Sequence, residues 1–596
     1  MFDPVSKLVA FEVKLAEWIR KLSPDILDAP PDESSHDLPY SDYGYKWSAY
    51  TLAHLYTAEH PDNFLQGETW CAELAMQLVD KSVEAWYYTR KQGKAISTGE
   101  TPHYVTPYVL EQLGDLIDNE RRERWLAFEE EWISQALTRA QGYTACYHDS
   151  WRMTGLYRMG RVLKRPELQD TGVFLFRQML AMQTDEGFWE DGRHHGPSMR
   201  YCGLMLPSLA WMYRWTEDEA FGDAARKLVD FMATYIYPDG YTVGIFDGRN
   251  ANVPGYFPTC PGFELTEKGR VYTNRIFKLW DEMGMFEDPL RSAQTTRDLA
   301  RMTFYTADTC NYLMQYAPDP ESVIDTKGFL PIDRDGVIEN HTAEFDGLMF
   351  RKGVWTVALS SQNSDIPKDT QSKIRSDRQS RIGVWHEKLR LIIGGGHSLK
   401  DAPVPYANAV LDTGQFETCI FGRFEESMNY RNRLSCFQPR KVKSRVENSI
   451  PILTLVYGHG TVEFRIECID EHEALIQADW HVLPIRSLCI ELPVLMWLDS
   501  ELYVDGKQAD YLEYSEWNVQ ESVKVSNPLS DSQAEIRVPS DIPSRIHAPL
   551  TASHYFWHGF VADDPVKHPF SLALISSQLN NPEQTGSVNF SIHINR

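Results

Sequence analysis

The chain of 596 residues is too long for one hydrophobic core, so the sequence predicts at least two domains. Its composition, 42% hydrophobic and 24% charged, is that of an ordinary folded globular protein. A formal net charge of -25 repels polyanions and excludes nucleic acid and anionic membrane surfaces as expected partners.

Cysteine usage and the N-terminal segment bear on the compartment. The nine cysteines are scattered singly, without a CxxC or Cys/His finger spacing, so neither a disulfide framework nor a structural zinc site is predicted. Residues 1–22 alternate charged and apolar residues at helical spacing and contain no long apolar run. We therefore expect a cytoplasmic protein, or a periplasmic one if a leader has been removed, and no membrane-spanning segment.

Helical periodicity extends from the N-terminus to about residue 320. Trp125, Phe128 and Trp132 fall on one face of a predicted helix, and the glutamates at 129–131 are expected to face solvent. Residues 204–215 are apolar almost all round, which is typical of an inner helix covered on both sides. This alternation, interrupted by Gly, Pro and Asp at intervals of roughly 50 residues, predicts helical hairpins stacked in two layers.

The hydrophobic period changes to two beyond Pro320. Val462, Phe464 and Ile466 alternate with charged residues, which is typical of a half-buried strand. Further strands are predicted at 348–359, 381–393 and 452–457. We place the boundary within 317–330 and predict an α+β multidomain protein, with a helical domain over 1–320 and an antiparallel β-sandwich over 321–596.

Clusters of titratable, aromatic and glycine residues lie at the junctions between predicted helices. They occupy residues 147–152, 187–201, 238–240 and 246–249. Loops held at one end of a rigid scaffold are a common location of catalytic and binding residues. With 17 Trp, 29 Tyr and 27 Phe available to stack on pyranose rings, the spacing predicts one sugar-binding pocket assembled from successive helix ends.

His148 begins a predicted helix that runs to about Leu163. Tyr147, Asp149 and Arg152 crowd the same turn. Because residues three and four apart share a helix face, Arg152 is expected to lie near enough to His148 to bind a carboxylate on a shared ligand. A histidine at a helix start is also often a structural hydrogen-bonding residue, and that alternative stays open.

A second cluster leads into the predicted inner helix. Its candidate substrate-binding and catalytic residues are Trp189, Glu190, Arg193, His195, Arg200 and Tyr201. Tyr201, at the mouth of this helix, is a candidate for proton transfer, and a buried tyrosine with a satisfied hydroxyl is the alternative. The acidic and histidine residues of the cluster lack i, i+4 ligand spacing, so no metal site is predicted.

Two further segments carry candidate anion-binding residues. Pro238-Asp239-Gly240 predicts a turn. Arg249, in a glycine-flanked loop, is a candidate anion clamp, and Asp247 either braces that arginine or acts as an acid. The basic run Arg375–Arg381 precedes a strand bearing His386, and a solvated sheet edge is favoured over a position in the cleft of the helical domain.

These motifs resemble the heparinase II/III-like group of polysaccharide lyases, which includes the alginate and oligo-alginate lyases. The resemblance covers residues from about 100 to 400 and consists of short motifs in the same order. Tyr147-His148 stands in the place of the family's Asn-His pair, and the stretch 188–201, ending Ser-Met-Arg-Tyr, in that of its Ser-x-x-Tyr element. Residues 238–240 match its Pro-Asp-Gly turn. Residues 375–377 and 391–395 stand where the family has a His-x-Asp motif and a Leu-rich, Gly-terminated segment.

The resemblance implies an incomplete (α/α) toroid of helical hairpins followed by an antiparallel β-sandwich, and β-elimination at a uronic acid. A group that neutralises the C6 carboxylate acidifies the C5 proton, a base removes that proton, and an acid protonates the leaving oxygen. By the same resemblance Tyr201 is the acid and base, and His148 neutralises or deprotonates. The carboxylate would be held by Arg152, Arg200 or Arg249.

The sequence departs from the family's pattern at two places. Tyr147 replaces the Asn of the Asn-His pair, which removes an amide, and Arg375 replaces a histidine of the sandwich. The family's zinc-ligating Asp is replaced near Gly394, so we predict no structural zinc and no cofactor. Because arginine is not a practical proton acceptor at neutral pH, the chemistry either depends on Tyr201 with His148 or has changed.

Two alternatives remain open. A glucuronidase-like glycoside hydrolase on the same scaffold needs two carboxylates about 5–10 Å apart. The sequence offers as candidates Asp149, Glu190, Asp191, Asp247 and Glu264. A non-catalytic glycan-binding protein is the other alternative. In each case the expected partner is a uronate-containing oligo- or polysaccharide.

Overall fold

The computed structural model divides into two compact units. Unit 1 comprises Met1–Gly192, Tyr201–Ala233 and Gly255–Phe329, and unit 2 comprises Arg193–Arg200, Thr234–Pro254 and Leu330–Arg596. Residues 321–329 thus belong to unit 1, and two short segments from the first half of the chain belong to unit 2. The residues that the structure describes are 3–28, 42–91, 102–139, 147–190, 196–247, 261–288, 296–362, 380–395, 408–412, 439–497, 499–511, 515–551 and 570–595.

Every α-helix of the described residues ends before residue 324. They are α1 Pro4–Asp28, α2 Asp42–Thr57, α3 Thr69–Lys91, α4 Pro102–Gln112, α5 Asn119–Arg139, α6 Tyr147–Val162, α7 Pro166–Leu180, α8 Met199–Thr216, α9 Glu219–Thr234, α10 Glu267–Glu282, α11 Thr296–Tyr316 and α12 Pro320–Val323. No described helix combines the length and the apolar character that crossing a lipid bilayer would require.

The inner helices of unit 1 meet around one buried carboxylate. Asp308 on α11 accepts hydrogen bonds from the hydroxyls of Tyr50 on α2 and Tyr104 on α4, at 2.9 and 2.8 Å. The indole N–H of Trp211 on α8 also donates to it, at 3.1 Å. Arg158 on α6 lies 4.3–6.0 Å from the centroids of five surrounding aromatic rings. Helices α2, α4, α6, α8 and α11 therefore form the inner layer.

The outer helices run between them and pack on one another. Gly172 on α7 lies so close to α6 that a Cβ there would stand 2.9 Å from the carbonyl oxygen of Met153. Phe176 on α7 contacts Phe221 on α9, with ring centroids 5.2 Å apart. The helical hairpins stacked in two layers are as the periodicity predicts.

The amphipathic pattern of α5 is confirmed except at one position. Trp125, Phe128 and Trp132 are fully buried, as predicted. Glu129 is also fully buried, so its predicted exposure was wrong. It follows Trp125 by four residues and precedes Trp132 by three, so it stands inside the buried stripe that those two residues define.

Unit 2 contains the strands. They are β1 Gly336–His341, β2 Asp346–Lys352, β3 Trp355–Ser360, β4 Ile382–His386, β5 Arg390–Ile393, β6 Ala409–Asp412, β7 Lys441–Glu447, β8 Ile450–Tyr457, β9 Gly460–Cys468, β10 Glu473–Val482, β11 Ser487–Trp497, β12 Leu502–Val504, β13 Lys507–Gln508, β14 Ser515–Val519, β15 Ser522–Asn527, β16 Ser532–Arg537, β17 Ser544–Thr551, β18 Phe570–Asn580 and β19 Thr585–Asn595.

The strands form two antiparallel sheets that share one core. One sheet has the order β1-β2-β3-β4-β5-β11-β18-β17-β14, with β6 also paired to β11, and the other has the order β13-β12-β15-β16-β19-β10-β9-β8-β7. The alternating residues of β9 are confirmed as inward-facing, since Val462, Phe464 and Ile466 are all fully buried in that core. Each of the predicted strands 348–359 and 381–393 is instead a hairpin of two strands, because a turn interrupts it.

One prediction about the sandwich is corrected by burial. Arg381 was assigned with its basic run to a solvated sheet edge, but its side chain is buried and its guanidinium donates to the carbonyl of Gln362 at 2.7 Å. Burial lowers the pKa of Arg381 to about 10. The rest of that run, including Arg375, lies outside the described residues.

Candidate active site

The two predicted catalytic residues of unit 1 lie side by side. His148 is in the first turn of α6 and Tyr201 in the first turn of α8. Their ring centroids are 6.5 Å apart, with the ring planes at 60°. Both side chains are half-buried, so one part of each remains accessible while the rest is packed. Residues separated by more than fifty positions in sequence are thus brought to one place.

Helices α6 and α8 run parallel beside each other. Two hydrogen bonds join them: the indole N–H of Trp151 donates to the carbonyl of Leu204 at 2.9 Å, and the Ser150 hydroxyl donates to that of Ser208 at 3.3 Å. Because both helices start at the same side, the positive ends of their dipoles lie together. The positive dipole ends favour an anion near His148 and Tyr201.

An ion pair occupies the same turn of α6. Arg152 Nη1 donates to Asp149 Oδ1 at 2.6 Å, and the Asp149 carboxylate is buried whereas Arg152 is partly exposed. A carboxylate this close offsets much of the guanidinium charge. Arg152 is therefore expected to attract a substrate carboxylate less strongly than an unpaired arginine would.

A cluster of aromatic and charged groups supports these helices from below. Trp151 packs edge-to-face on Tyr104, with ring centroids 4.8 Å apart. Tyr104 in turn donates to Asp308, which is 1% exposed. Burial raises the pKa of Asp308, while Arg158 and the hydrogen bonds that the carboxylate accepts oppose that shift. The inner layer is consequently rigid where it carries the first turns of α6 and α8.

A second buried carboxylate lies near the other end of α8. Glu264 accepts from the hydroxyl of Tyr312 at 2.6 Å, from Arg214 at 3.3 Å and from the backbone N–H of Gly262 at 2.6 Å. Burial raises its pKa, and the hydrogen bond from Tyr312 and the charge of Arg214 act against that shift. The Glu264 carboxylate thus links α8 to α11 through Arg214 and Tyr312.

The motif residues in unit 2 form their own contacts. The predicted turn at Pro238-Asp239-Gly240 is present, with the N–H of Gly240 donating to the carbonyl of Tyr237 at 2.9 Å. Asp247 is 1% exposed and accepts from the hydroxyl of Ser198 at 3.2 Å. Asp247 therefore holds the segment that precedes α8, a contact that the sequence did not indicate.

The other predicted site residues fall into three groups. Trp189 is 3% exposed and its indole donates to the carbonyl of Met179 at 2.7 Å, so its ring is packed inside unit 1; Glu190 beside it is half-buried. The side chains of Tyr147 and Arg200 are not described, although both residues lie in helices. The candidates outside the described residues are Asp191, Arg193, His195, Arg249 and Arg375.

The sequence did not single out two residues that build this site. Trp151 lies within the predicted cluster 147–152 without a role of its own, and Asp308 lies outside every predicted cluster. A tryptophan three residues after the histidine, on the same helix face, is a signal that could have pointed to the first. Nothing local distinguishes Asp308 from a solvent-facing aspartate, since its partners come from three other helices.

Comparison with known proteins bears on the fold. No family model and no curated protein sequence matches the chain. The structure of the Streptomyces coelicolor A3 chondroitin AC lyase in complex with chondroitin sulphate matches it with a TM-score of 0.57 at 11% identity, over 100% of this chain and 80% of that one. The structure of heparinase III matches with a TM-score of 0.50 at 10% identity, over 98% of this chain and 91% of that one. The resemblance to the heparinase-like lyases is confirmed at the level of the fold: the chain has the helical toroid and antiparallel β-sandwich of chondroitin AC lyase and heparinase III.

Proposed function

We propose that this protein cleaves uronate-containing oligo- or polysaccharides by β-elimination, with Tyr201 and His148 as the proton-transfer pair. The observation that carries the proposal is the contact between these two rings at the first turns of two parallel helices. Tyrosine and histidine are both able to exchange protons during catalysis, and the pair stands in a fold that known glycan lyases use.

The surroundings of the pair suit a uronate carboxylate. The first turns of α6 and α8 carry the positive ends of two helix dipoles, which attract an anion. Partial neutralisation of the C6 carboxylate weakens the bond to the C5 proton, because the negative charge that develops on its removal spreads onto that carboxylate.

The reaction moves one proton and one electron pair within the substrate. Tyr201, assisted by His148, accepts the C5 proton. The electron pair of the C5–H bond forms a C4–C5 double bond, and the C4–O glycosidic bond breaks. The leaving oxygen takes a proton from the same pair, so that no water is consumed and the enzyme returns to its starting protonation state.

The arginines take unequal parts in this proposal. Arg152 is compensated by Asp149, and its role is to hold the first turn of α6. Arg200 precedes Tyr201 directly in the chain and Arg249 follows a described turn, so both stay proposed clamps for the substrate carboxylate. Arg193, His195 and Arg375 stay proposed contacts of the glycan, as do Tyr147 and Glu190. Trp189 is no longer proposed as a contact, because its ring is buried inside unit 1.

Hydrolysis by paired carboxylates receives less support. Asp149 is bound to Arg152, Asp247 accepts from Ser198, and Glu264 is buried among three donors. A glycosidase needs one carboxyl group as acid and another as base or nucleophile, both facing the substrate. Carboxylates already engaged inside the protein do not meet that need.

The decisive experiment is a product analysis on several uronate glycans. Chondroitin sulphate, the ligand in one structural neighbour, is the first substrate to test, followed by heparin-type and alginate oligosaccharides. Elimination creates an unsaturated uronate, so we expect new ultraviolet absorbance and products whose masses sum to that of the substrate. A gain of one water would assign hydrolysis instead, and binding without any product would assign a glycan-binding protein.

A further inference from the structure

Trp151 spans the two helices one turn below the proposed proton-transfer pair. It follows His148 by three residues, and its hydrogen-bond partner Leu204 follows Tyr201 by three. Residues three apart on a helix lie on the same face, so the indole bridge runs directly beneath the two rings. The bond is 2.9 Å long and the side chain is 1% exposed.

The indole is also fixed on its other sides. Its ring contacts Tyr104, Phe304 and Tyr305, with centroids 4.8, 5.3 and 5.8 Å away. Tyr104 is itself held by its hydrogen bond to Asp308. A side chain enclosed in this way transmits a shift of α6 to α8 and the reverse, because close-packed interiors have little free space.

We infer that Trp151 is a positioning residue that sets the separation of His148 and Tyr201; this inference rests on the proposed function. Phenylalanine at this position keeps a ring against Tyr104 and loses the bond to Leu204. Misplacement of reacting groups by about 1 Å costs on the order of 10²-fold in rate. Trp151→Phe is therefore expected to lower kcat between about 10-fold and 10²-fold, with KM changed less than about two-fold.

The matched control is the same substitution in the β-sandwich. Trp355 is also 1% exposed, and its indole donates to the carbonyl of Asp470 at 2.7 Å. Trp355→Phe should also lower Tm, since each variant loses one indole hydrogen bond to a carbonyl. Only the variant in α6 should lower kcat and shift the pH profile of kcat. Equal kcat in the two variants would overturn the inference.

A spectroscopic readout separates this inference from the proposed function. In protein labelled with ¹³C in histidine, the His148 imidazole signals are assigned by their loss in His148→Gln. They should move in Trp151→Phe and stay in place in Trp355→Phe, whether or not any glycan is cleaved. Elimination stands if wild type forms unsaturated product and Tyr201→Phe does not. Positioning by Trp151 is nevertheless wrong if Trp151→Phe then matches wild type in kcat and in the His148 signals. If no uronate glycan is cleaved, elimination is wrong, and the His148 signals alone decide on Trp151.

Discussion

The imidazole of His148 and the phenol ring of Tyr201 face each other across α6 and α8, with centroids 6.5 Å apart. Neither helix alone places the proposed proton-transfer pair, since each supplies one member in its first turn. Trp151 and Ser150 join the two helices through hydrogen bonds to Leu204 and Ser208. The proposed chemistry would therefore depend on the contact between α6 and α8.

Tyr201→Phe removes the hydroxyl and keeps the ring. We expect kcat to fall by about 10²- to 10⁴-fold, the usual contribution of a positioned acid or base, with Tm unchanged within a few degrees. Product formation is followed by ultraviolet absorbance. Tyr213→Phe, near the other end of α8, is the control, because that hydroxyl donates to the exposed Glu219 and lies away from the first turn. Full activity of Tyr201→Phe would show that the proton passes through another group.

His148→Gln tests whether the pair works as one unit. The single variant should lose about 10²-fold in kcat. The kcat of the double variant with Tyr201→Phe should be only slightly below that of the less active single variant. Residues that share a proton transfer are not additive, whereas independent contributions multiply. A double variant whose loss equals the product of the two single losses would contradict a shared role. His472→Gln, at an exposed position, controls for the substitution itself.

Asp308→Ala tests the charged cluster of the inner layer. Removing this carboxylate takes away one of the negative charges that stabilise the buried Arg158 and orphans the three side-chain donors. We expect the free energy of unfolding to fall by about 3–5 kcal/mol, measured by urea denaturation with helical circular dichroism. Adding Arg158→Met should recover part of that loss, because an apolar side chain needs no counter-charge. A loss below about 1 kcal/mol in the single variant would contradict this account.

His386 makes stability depend on pH in a defined direction. Its Nε2–H donates to the carbonyl of Glu471 at 3.1 Å and its Nδ1 accepts from the N–H of Lys388 at 3.2 Å, an arrangement that requires the neutral ring. Burial lowers its pKa from 6.5 to about 4. Between these values the unfolded chain binds a proton that the folded chain does not, so stability falls as the pH drops, by at most about 1.4 kcal/mol per pH unit.

The measurement is the urea midpoint between neutral pH and pH 4.5. His386→Gln should flatten the decline, and a slope identical to wild type would contradict the assignment. For His341 the pH dependence of stability has the opposite sign, and His341→Gln should remove it. Although partial burial opposes it, the hydrogen bond with Asp346 raises the pKa of His341, so its stabilising contribution is present at low pH and is lost as the pH rises through the folded value.

The sequence by itself determined the elements and their layers. The period of 3.6 in α5 and the period of two in β9 each follow from which side chains must leave water, and both are local properties. The motifs around His148 and Tyr201 likewise marked the ends of α6 and α8. Pro238-Asp239-Gly240 predicted a turn, because proline fixes its own φ at a value that turns use and aspartate is favoured in turns.

Only the tertiary structure decided which polar groups lie inside. Glu129 and Arg381 are of residue types that are usually exposed, yet both are buried in the structure. Asp308 and Trp151 matter because of partners on other helices, and Arg152 is weakened as a clamp by its own neighbour Asp149. The physical reason is that the cost of burying a charge or an N–H is offset by partners distant in the chain, which no local pattern of residues reveals.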